Sequence, residues 1–176
     1  ETAEDLRGLT DAASDAANLI DGEIVRKPID VVDAIGEVVD RIRAESDAVV
    51  RTHLPDEQYV LADAPLKMAF YQLLANAVEH NDADEPEIEV SVSSASDRTG
   101  WCTIEIADNG PGIPEYELDV LTAGEETSLK HGSGIGLWIV YWVVTRYGGD
   151  LRFEESPSGG SVVRIELPVA DGPADR

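Results

Sequence analysis

The sequence predicts an α+β fold in which helices cover one face of a mixed sheet. Three observations predict it. Residues 31–42 and 68–78 space their apolar side chains by three and four, as amphipathic helices do. Residues 88–106 and 150–167 alternate apolar and polar side chains around polar turns, as paired strands do. Helical and strand segments are mixed along the chain, and a length of 176 residues with 43% hydrophobic content suits one compact core.

The elements follow in order. Leu6, Leu9, Ala13, Ala16 and Ile20 have the a/d spacing of a helix that packs on partner helices, and Asp21-Gly22 closes it. So short a helix does not hold itself together in water, so it is either docked on the domain or the torn end of a longer bundle helix. After Lys27-Pro28, Asp30 is placed to cap a helix with the stripe Val31, Ile35, Val38 or Val39, and Ile42. Short extended segments follow around 48–54 and 58–61. Asp63 then reads as an N-cap with Pro65 in the first turn of a helix that carries Met68, Leu73, Leu74, Ala77 and Val78 up to about Glu79. Ile88, Val90 and Val92 share one strand face, and Cys102, Ile104 and Ile106 repeat the pattern beyond the turn at 96–100, predicting an antiparallel pair. A glycine-rich stretch, 108–136, leads into a helix from Ile135 to about Tyr147 that Gly148-Gly149 ends. Strands at 150–154 and 161–167 meet across Pro157-Ser158-Gly159-Gly160. Pro168 to Arg176 reads as a frayed tail. The Trp138 and Trp142 pair shares one helical face and is expected in the core.

Charge narrows the partners. Thirteen Lys+Arg against 36 Asp+Glu leave a net charge of -23, a field that repels nucleic acid and anionic lipid. The acids are spread through every segment, which predicts a solvated surface adapted to high salt, since charges are screened within about 3 Å near 1 M. No apolar run approaches the roughly 20 residues of a membrane helix, so no direct membrane contact is expected and the chain is placed in the cytoplasm. Cys102 is the single cysteine, which excludes an intrachain disulfide and suits a reducing compartment. The chain opens without Met, on residues that read as mid-helix, so it is expected to come from a longer polypeptide.

Three clusters carry chemistry. Gly132-Ser133-Gly134-Ile135-Gly136-Leu137 opens a helix, where unpaired N–H groups and the positive helix end suit polyphosphate; a glycine turn that merely lets helix and strand approach is the alternative. Asp108-Asn109-Gly110-Pro111-Gly112 ends a strand. There the carboxylate can accept a hydrogen bond from an exocyclic amino group, selecting adenine over guanine, or can form an Asx turn. Asn76 lies mid-helix among Leu73, Leu74, Ala77 and Val78, where its amide needs a partner: an Mg2+ ion beside phosphates, or a loop.

Together and in this order, residues 70–81 (Phe-Tyr-Gln-Leu-Leu-Ala-Asn-Ala-Val-Glu-His-Asn), 108–112 and 131–140 (His-Gly-Ser-Gly-Ile-Gly-Leu-Trp-Ile-Val) resemble the N, G1 and G2 boxes of sensor histidine kinases. Residues 160–168 resemble that family's last strand, and the acidic composition resembles haloarchaeal members. The resemblance, which spans roughly Lys27 to Pro168, implies the Bergerat fold, a two-layer α/β sandwich with a mixed, mostly antiparallel sheet. It implies that Asp108 contacts adenine, that Gly110, Gly112 and Ile113 line the base pocket, and that Ser161 stands near the base through water. By the same resemblance Asn76 holds Mg2+, residues 113–131 form a lid, and Gly132, Gly134 and Gly136 hinge it and admit phosphate. Lys130, His131, Ser133, Ile135 and Leu137 border the phosphates, with His80 and Asn81 adding polarity or capping their helix.

Three departures stand out. Gln72 replaces the first Asn of the N box, Glu79 replaces the usual cation after the second, and the Phe-rich lid box is absent around Leu118 to Leu121. In the ATP-hydrolysing branches of the superfamily a Glu at the position of Gln72 acts as general base; an amide cannot, so slow hydrolysis is expected. The resemblance implies ATP and Mg2+ as ligands, with transfer of the γ-phosphate to a histidine on an upstream helical hairpin. His53, His80 and His131 lie elsewhere, so that acceptor is expected outside the chain, with residues 1–21 as the end of its second helix, 22–170 as the catalytic domain and 171–176 as tail. A response regulator and a homodimeric full-length protein are the implied partners. The alternative is a degenerate module that binds nucleotide or a partner protein and transfers nothing.

Overall fold

The computed structural model describes residues 26–95, 97–112, 135–157 and 159–172. The expected helix at 6–20, the whole of the expected lid at 113–131 and the last four residues lie outside them. Strand β1 (Lys27–Asp30) leads into helix α1 (Val31–Glu45), and β2 (Val49–His53) and β3 (Tyr59–Ala62) precede α2 (Pro65–Glu79). Then come β4 (Glu87–Ser94), β5 (Trp101–Asp108), α3 (Ile135–Arg146), β6 (Asp150–Glu155) and β7 (Ser161–Pro168).

Five strands form one sheet in the order β2-β4-β5-β7-β6, parallel between β2 and β4 and antiparallel elsewhere. The period-two pattern sets its faces, because alternate residues of a strand point to opposite sides. Ile88, Val90, Val92, Cys102, Ile104, Ile106, Val163, Ile165 and Leu167 are all buried and belong to one core with the three helices. The odd-numbered positions of β5 and the even-numbered ones of β7 turn to the other face, Thr103, Glu105, Arg164 and Glu166 among them. There the Arg164 guanidinium lies 2.8 Å from Glu105 and 3.2 Å from Glu154. Arg98 stacks 3.4 Å over the Trp101 ring and bonds Asp150 and Glu166. The sheet is therefore covered by helices on one side, as the sequence predicts.

Helix α1 starts where expected. The Asp30 carboxylate accepts from the Val32 and Gln58 N–H groups, each at 3.0 Å, capping the helix and tying β3 to it. Val31, Ala34, Ile35, Val38, Val39 and Ile42 are its buried stripe, and both Val38 and Val39 are buried where the periodicity left a choice. Helix α2 differs at its start. Asp63 is not the cap; the helix begins after Ala64 with no side-chain cap bond and with Pro65 in its first turn. Asp63 instead accepts a hydrogen bond from the Tyr147 hydroxyl, 84 residues away. Tyr147 is buried at the end of α3, and burial together with that carboxylate pushes its phenol far above the ordinary range. A buried hydroxyl without a partner costs more than an exposed cap contributes, so the long-range bond takes the side chain.

The frayed tail begins later than the sequence suggests. Pro168 ends β7, Val169 bridges Val60, and the Ala170 N–H donates to the Tyr59 carbonyl at 2.8 Å. Lys27-Pro28, read only as a lead-in to α1, forms β1, which pairs antiparallel with β3 through residues 27–30 and 59–62. Trp138 and Trp142 are half-buried against the core, stacked with ring centroids 6.4 Å apart. Cys102 is buried, as expected of a small core residue, and burial pushes its thiol up to about 11.

Candidate functional site

The sheet register brings the ends of β5 and β7 together, and the site is built where they meet. Ala107 pairs with Val162, so Asp108 and Ser161 fall side by side at the strand ends. The Ser161 hydroxyl donates to Asp108 Oδ2 at 2.6 Å, while the Ser161 and Gly110 N–H groups donate to Oδ1 at 3.3 and 2.9 Å. An ionised carboxylate has about four acceptor sites. Three are occupied by these donors, and the fourth, on Oδ2, is available on a half-exposed side chain. The carboxylate is thus held in orientation by the protein, with one acceptor site unoccupied among the described residues.

Two glycines shape its surroundings. A Cβ on Gly160 would stand 1.8 Å from the Asp108 carbonyl oxygen and 2.9 Å from Oδ1, so only glycine permits β7 to start this close to β5. Gly112 has φ +87°, a conformation that L side chains rarely adopt, and a Cβ there would meet nothing within 4 Å. Among the described residues nothing therefore crowds this position, and its backbone favours glycine.

Helix α2 meets this corner at its C-terminal end. The Asn81 backbone and side chain lie against Gly110, 3.4 Å from where a Cβ would be. The Asn81 carboxamide, expected to face a ligand or cap its helix, is engaged within the protein. Its Nδ2 donates to Asn109 Oδ1 at 2.8 Å and its Oδ1 accepts from Ala83 N–H at 3.0 Å. Asn76 lies one turn earlier on α2, half-buried, and no hydrogen bond engages its carboxamide among the described residues. The helix-to-loop bond that would have explained a mid-helix Asn is thus not found among them. His80 is exposed at the helix end, its N–H bonded to the Asn76 carbonyl at 3.0 Å. Glu79 is exposed and Gln72 half-buried.

Of the other expected site residues, Ile135 and Gly136 form the first turn of α3 and Leu137 is buried in the core. Ile113, Lys130, His131, Gly132, Ser133 and Gly134 lie outside the described residues. The structure thus joins Asp108, Gly110, Gly112 and Ser161 in one corner with the end of α2. Sequence reasoning assigned no role to Gly160, read as part of a turn and as the start of the 160–168 motif, or to Asn109, quoted only within the 108–112 motif. The signal for Gly160 was the Gly-Gly pair directly before the strand that carries Ser161.

The arrangement resembles known proteins. The family described as histidine kinase-, DNA gyrase B-, and HSP90-like ATPase matches residues 62–171. The sensor protein CutS of Streptomyces coelicolor is 30% identical over 159 residues, covering 85% of this chain and 38% of CutS. The sensor-type histidine kinase PrrB of Mycobacterium tuberculosis is 33% identical over 147 residues, covering 80% of this chain and 32% of PrrB. The chain thus spans less than two-fifths of the length of these relatives. Among solved structures, a mycobacterial sensor histidine kinase, MprB, superposes with a TM-score of 0.69 at 28% identity, over 82% of this chain and 98% of that one. The full-length ShkA complex with AMPPNP shares the fold, with a TM-score of 0.73 at 22% identity over 96% of this chain and 37% of that one. With the family match covering well over half of the residues, the chain belongs to the histidine kinase-, DNA gyrase B- and HSP90-like ATPases.

Proposed function

We propose that this chain is the catalytic ATP-binding domain of a sensor histidine kinase, which binds Mg-ATP and donates the γ-phosphate to a histidine on an upstream helical hairpin. The observation that carries the reading is the half-exposed Asp108 carboxylate, fixed by Gly110 and Ser161 with one acceptor site unoccupied among the described residues. That site suits the exocyclic amino group of adenine and opposes the carbonyl that guanine presents instead. Gly112, where a Cβ would meet no described residue, leaves room for the ring, Ile113 is proposed to complete the pocket, and sensor-kinase relatives favour this family branch over the others.

Mg2+ fits the residues on one count and is excluded on none. Among the described residues no group of three His, Cys, Asp or Glu is gathered to hold a metal, while Asn76 offers an unengaged amide oxygen. That is the donor set of Mg2+ bound mainly by phosphate oxygens and waters, with one or two protein oxygens. Bound there, the ion would neutralise phosphate charge. Asn76 would hold it, and Glu79 and His80 stand on the same helix end. Lys130, His131 and residues 132–137 are proposed to border the phosphates and hinge the lid. Gln72 has no basic group to take a proton from water, so the site favours transfer over hydrolysis.

In that transfer the bond between the γ-phosphorus and the ADP oxygen breaks, a bond to an imidazole nitrogen forms, and the imidazole loses a proton. Residues 1–21 are proposed as the end of the hairpin's second helix, 22–170 as the catalytic domain and 171–176 as its tail. A response regulator and a second copy in the full-length dimer are its proposed partners. No helix among the described residues is long and apolar enough to cross a membrane; a cytoplasmic placement follows from the kinase reading. Supplying a folded hairpin in trans with Mg-ATP is expected to yield an acid-labile phosphohistidine on the hairpin. A folded hairpin left unmodified by a chain that binds nucleotide would leave a binding module without transfer.

A further inference from the structure

The Asn109 side chain makes three hydrogen bonds, two to the segment that joins α2 to β4 and one to the first residue of β4. Its Oδ1 accepts from Asn81 Nδ2 at 2.8 Å and from Glu87 N–H at 2.9 Å, and its Nδ2 donates to the Glu85 carbonyl at 3.0 Å. A fourth bond, from its own N–H to the Glu87 carbonyl at 3.3 Å, extends the β4–β5 ladder. Asn81 in turn closes the loop on itself through Ala83 N–H and rests on Gly110. The half-buried Asn109 carboxamide thus has its oxygen twice occupied and one of its two N–H groups used, and it lies directly between Asp108 and Gly110 in the chain.

We infer that Asn109 is a positioning residue: a strap that sets where the last turn of α2, with Asn76, stands relative to Asp108, and so joins the metal and base halves of the nucleotide site. The inference rests on the nucleotide reading above. The two halves are held by separate bonds. Asp108 is oriented by Gly110 and Ser161, none of whose bonds involves the Asn109 side chain. The end of α2 reaches the sheet corner through Asn81, whose one side-chain donor bond ends on Asn109. Losing the strap should therefore loosen the metal half and spare the base half. It also assigns Asn81 to the strap and not to the ligand.

Asn109→Ala, Asn109→Asp, Asn81→Ala and the double alanine variant test this in the whole chain. Two readouts are needed: hydrogen exchange at Ala83 and Glu87 without nucleotide, and calorimetric affinity for adenosine, metal-free ADP and Mg-ADP. Asn109→Ala is expected to speed exchange at both amides and to reduce the Mg2+-dependent gain in ADP affinity by about tenfold, as loss of an outer-shell partner does. Adenosine affinity should stay within about twofold, a selectivity that general destabilisation would not produce. Asn109→Asp keeps the two acceptor bonds and should fall between native and alanine. The Asn81 and Asn109 losses should not add, because both substitutions cut one connection. Adenosine and Mg-ADP affinities that fall together, unchanged exchange, or additive losses would overturn the strap alone. A native chain that binds adenosine but gains nothing from Mg2+ would overturn the metal site and the strap together, and one that binds no adenosine would overturn the nucleotide reading itself.

Discussion

Gly160→Ala is the smallest change that should dismantle the corner around Asp108. The added Cβ would lie 1.8 Å from the Asp108 carbonyl oxygen and 2.6 Å from its carbon, both backbone atoms that cannot swing aside. Reaching the 3.4 Å of ordinary contact requires the ends of β5 and β7 to part by about 1.6 Å. The Ser161 hydroxyl bond to Asp108, now 2.6 Å long, would not survive a parting of that size. Overpacking costs about 1–3 kcal/mol and the lost charged hydrogen bond about 1.5–3 kcal/mol. The two overlap because they arise from one displacement, so a total of about 2–4 kcal/mol is expected. For a chain of this size that lowers the melting temperature by about 5–15 °C. Calorimetric scanning in molar KCl reads the stability, and titration of a non-hydrolysable ATP analogue reads the site, where affinity should fall by tenfold or more, roughly the worth of one misplaced hydrogen bond. A variant that melts and binds like the native chain would refute the argument that this contact orients Asp108.

Asp108→Asn keeps the shape of the acceptor but lets an N–H face adenine's amino group and the Ser161 hydroxyl; ATP-analogue affinity should drop by about 10–100-fold, checked by the same titration. Burial raises the Cys102 thiol from 9.0 to about 11, so the unfolded chain releases this proton first as pH rises. The folded state is then favoured below pH 9 and loses about 1.4 kcal/mol per unit between 9 and 11; denaturant titrations should show a steeper alkaline loss for the native chain than for Cys102→Ala. With a net charge of -23, self-repulsion should make the domain melt at a higher temperature in molar KCl than in dilute buffer, and equal melting in both would remove the high-salt expectation.

How much of this was legible in the sequence depends on the range over which each feature is determined. Helix α1 and strands β4, β5 and β7 follow from periodicity, since one face of each must meet the core and the apolar spacing records which. Asp30 shows its role as a cap because its main partner, Val32 N–H, is two residues away. Asp108, Gly110, Gly112 and Asn76 were named in advance because their residue types are unusual for where they stand, a carboxylate and glycines at a strand end and an amide in mid-helix, whereas Ser161 was named only through the family resemblance. Tertiary structure decided what depended on distant partners. Asp63 left the cap for Tyr147, and Val169 and Ala170 left the tail for β3, because those partners are more than 80 residues away and no local pattern records them. Gly160 and Asn109 belong with these. The place of each comes from a backbone or loop that only the register of β5 against β7 and β4 brings within reach, so the local sequence offered candidate groups but did not record these long-range neighbours.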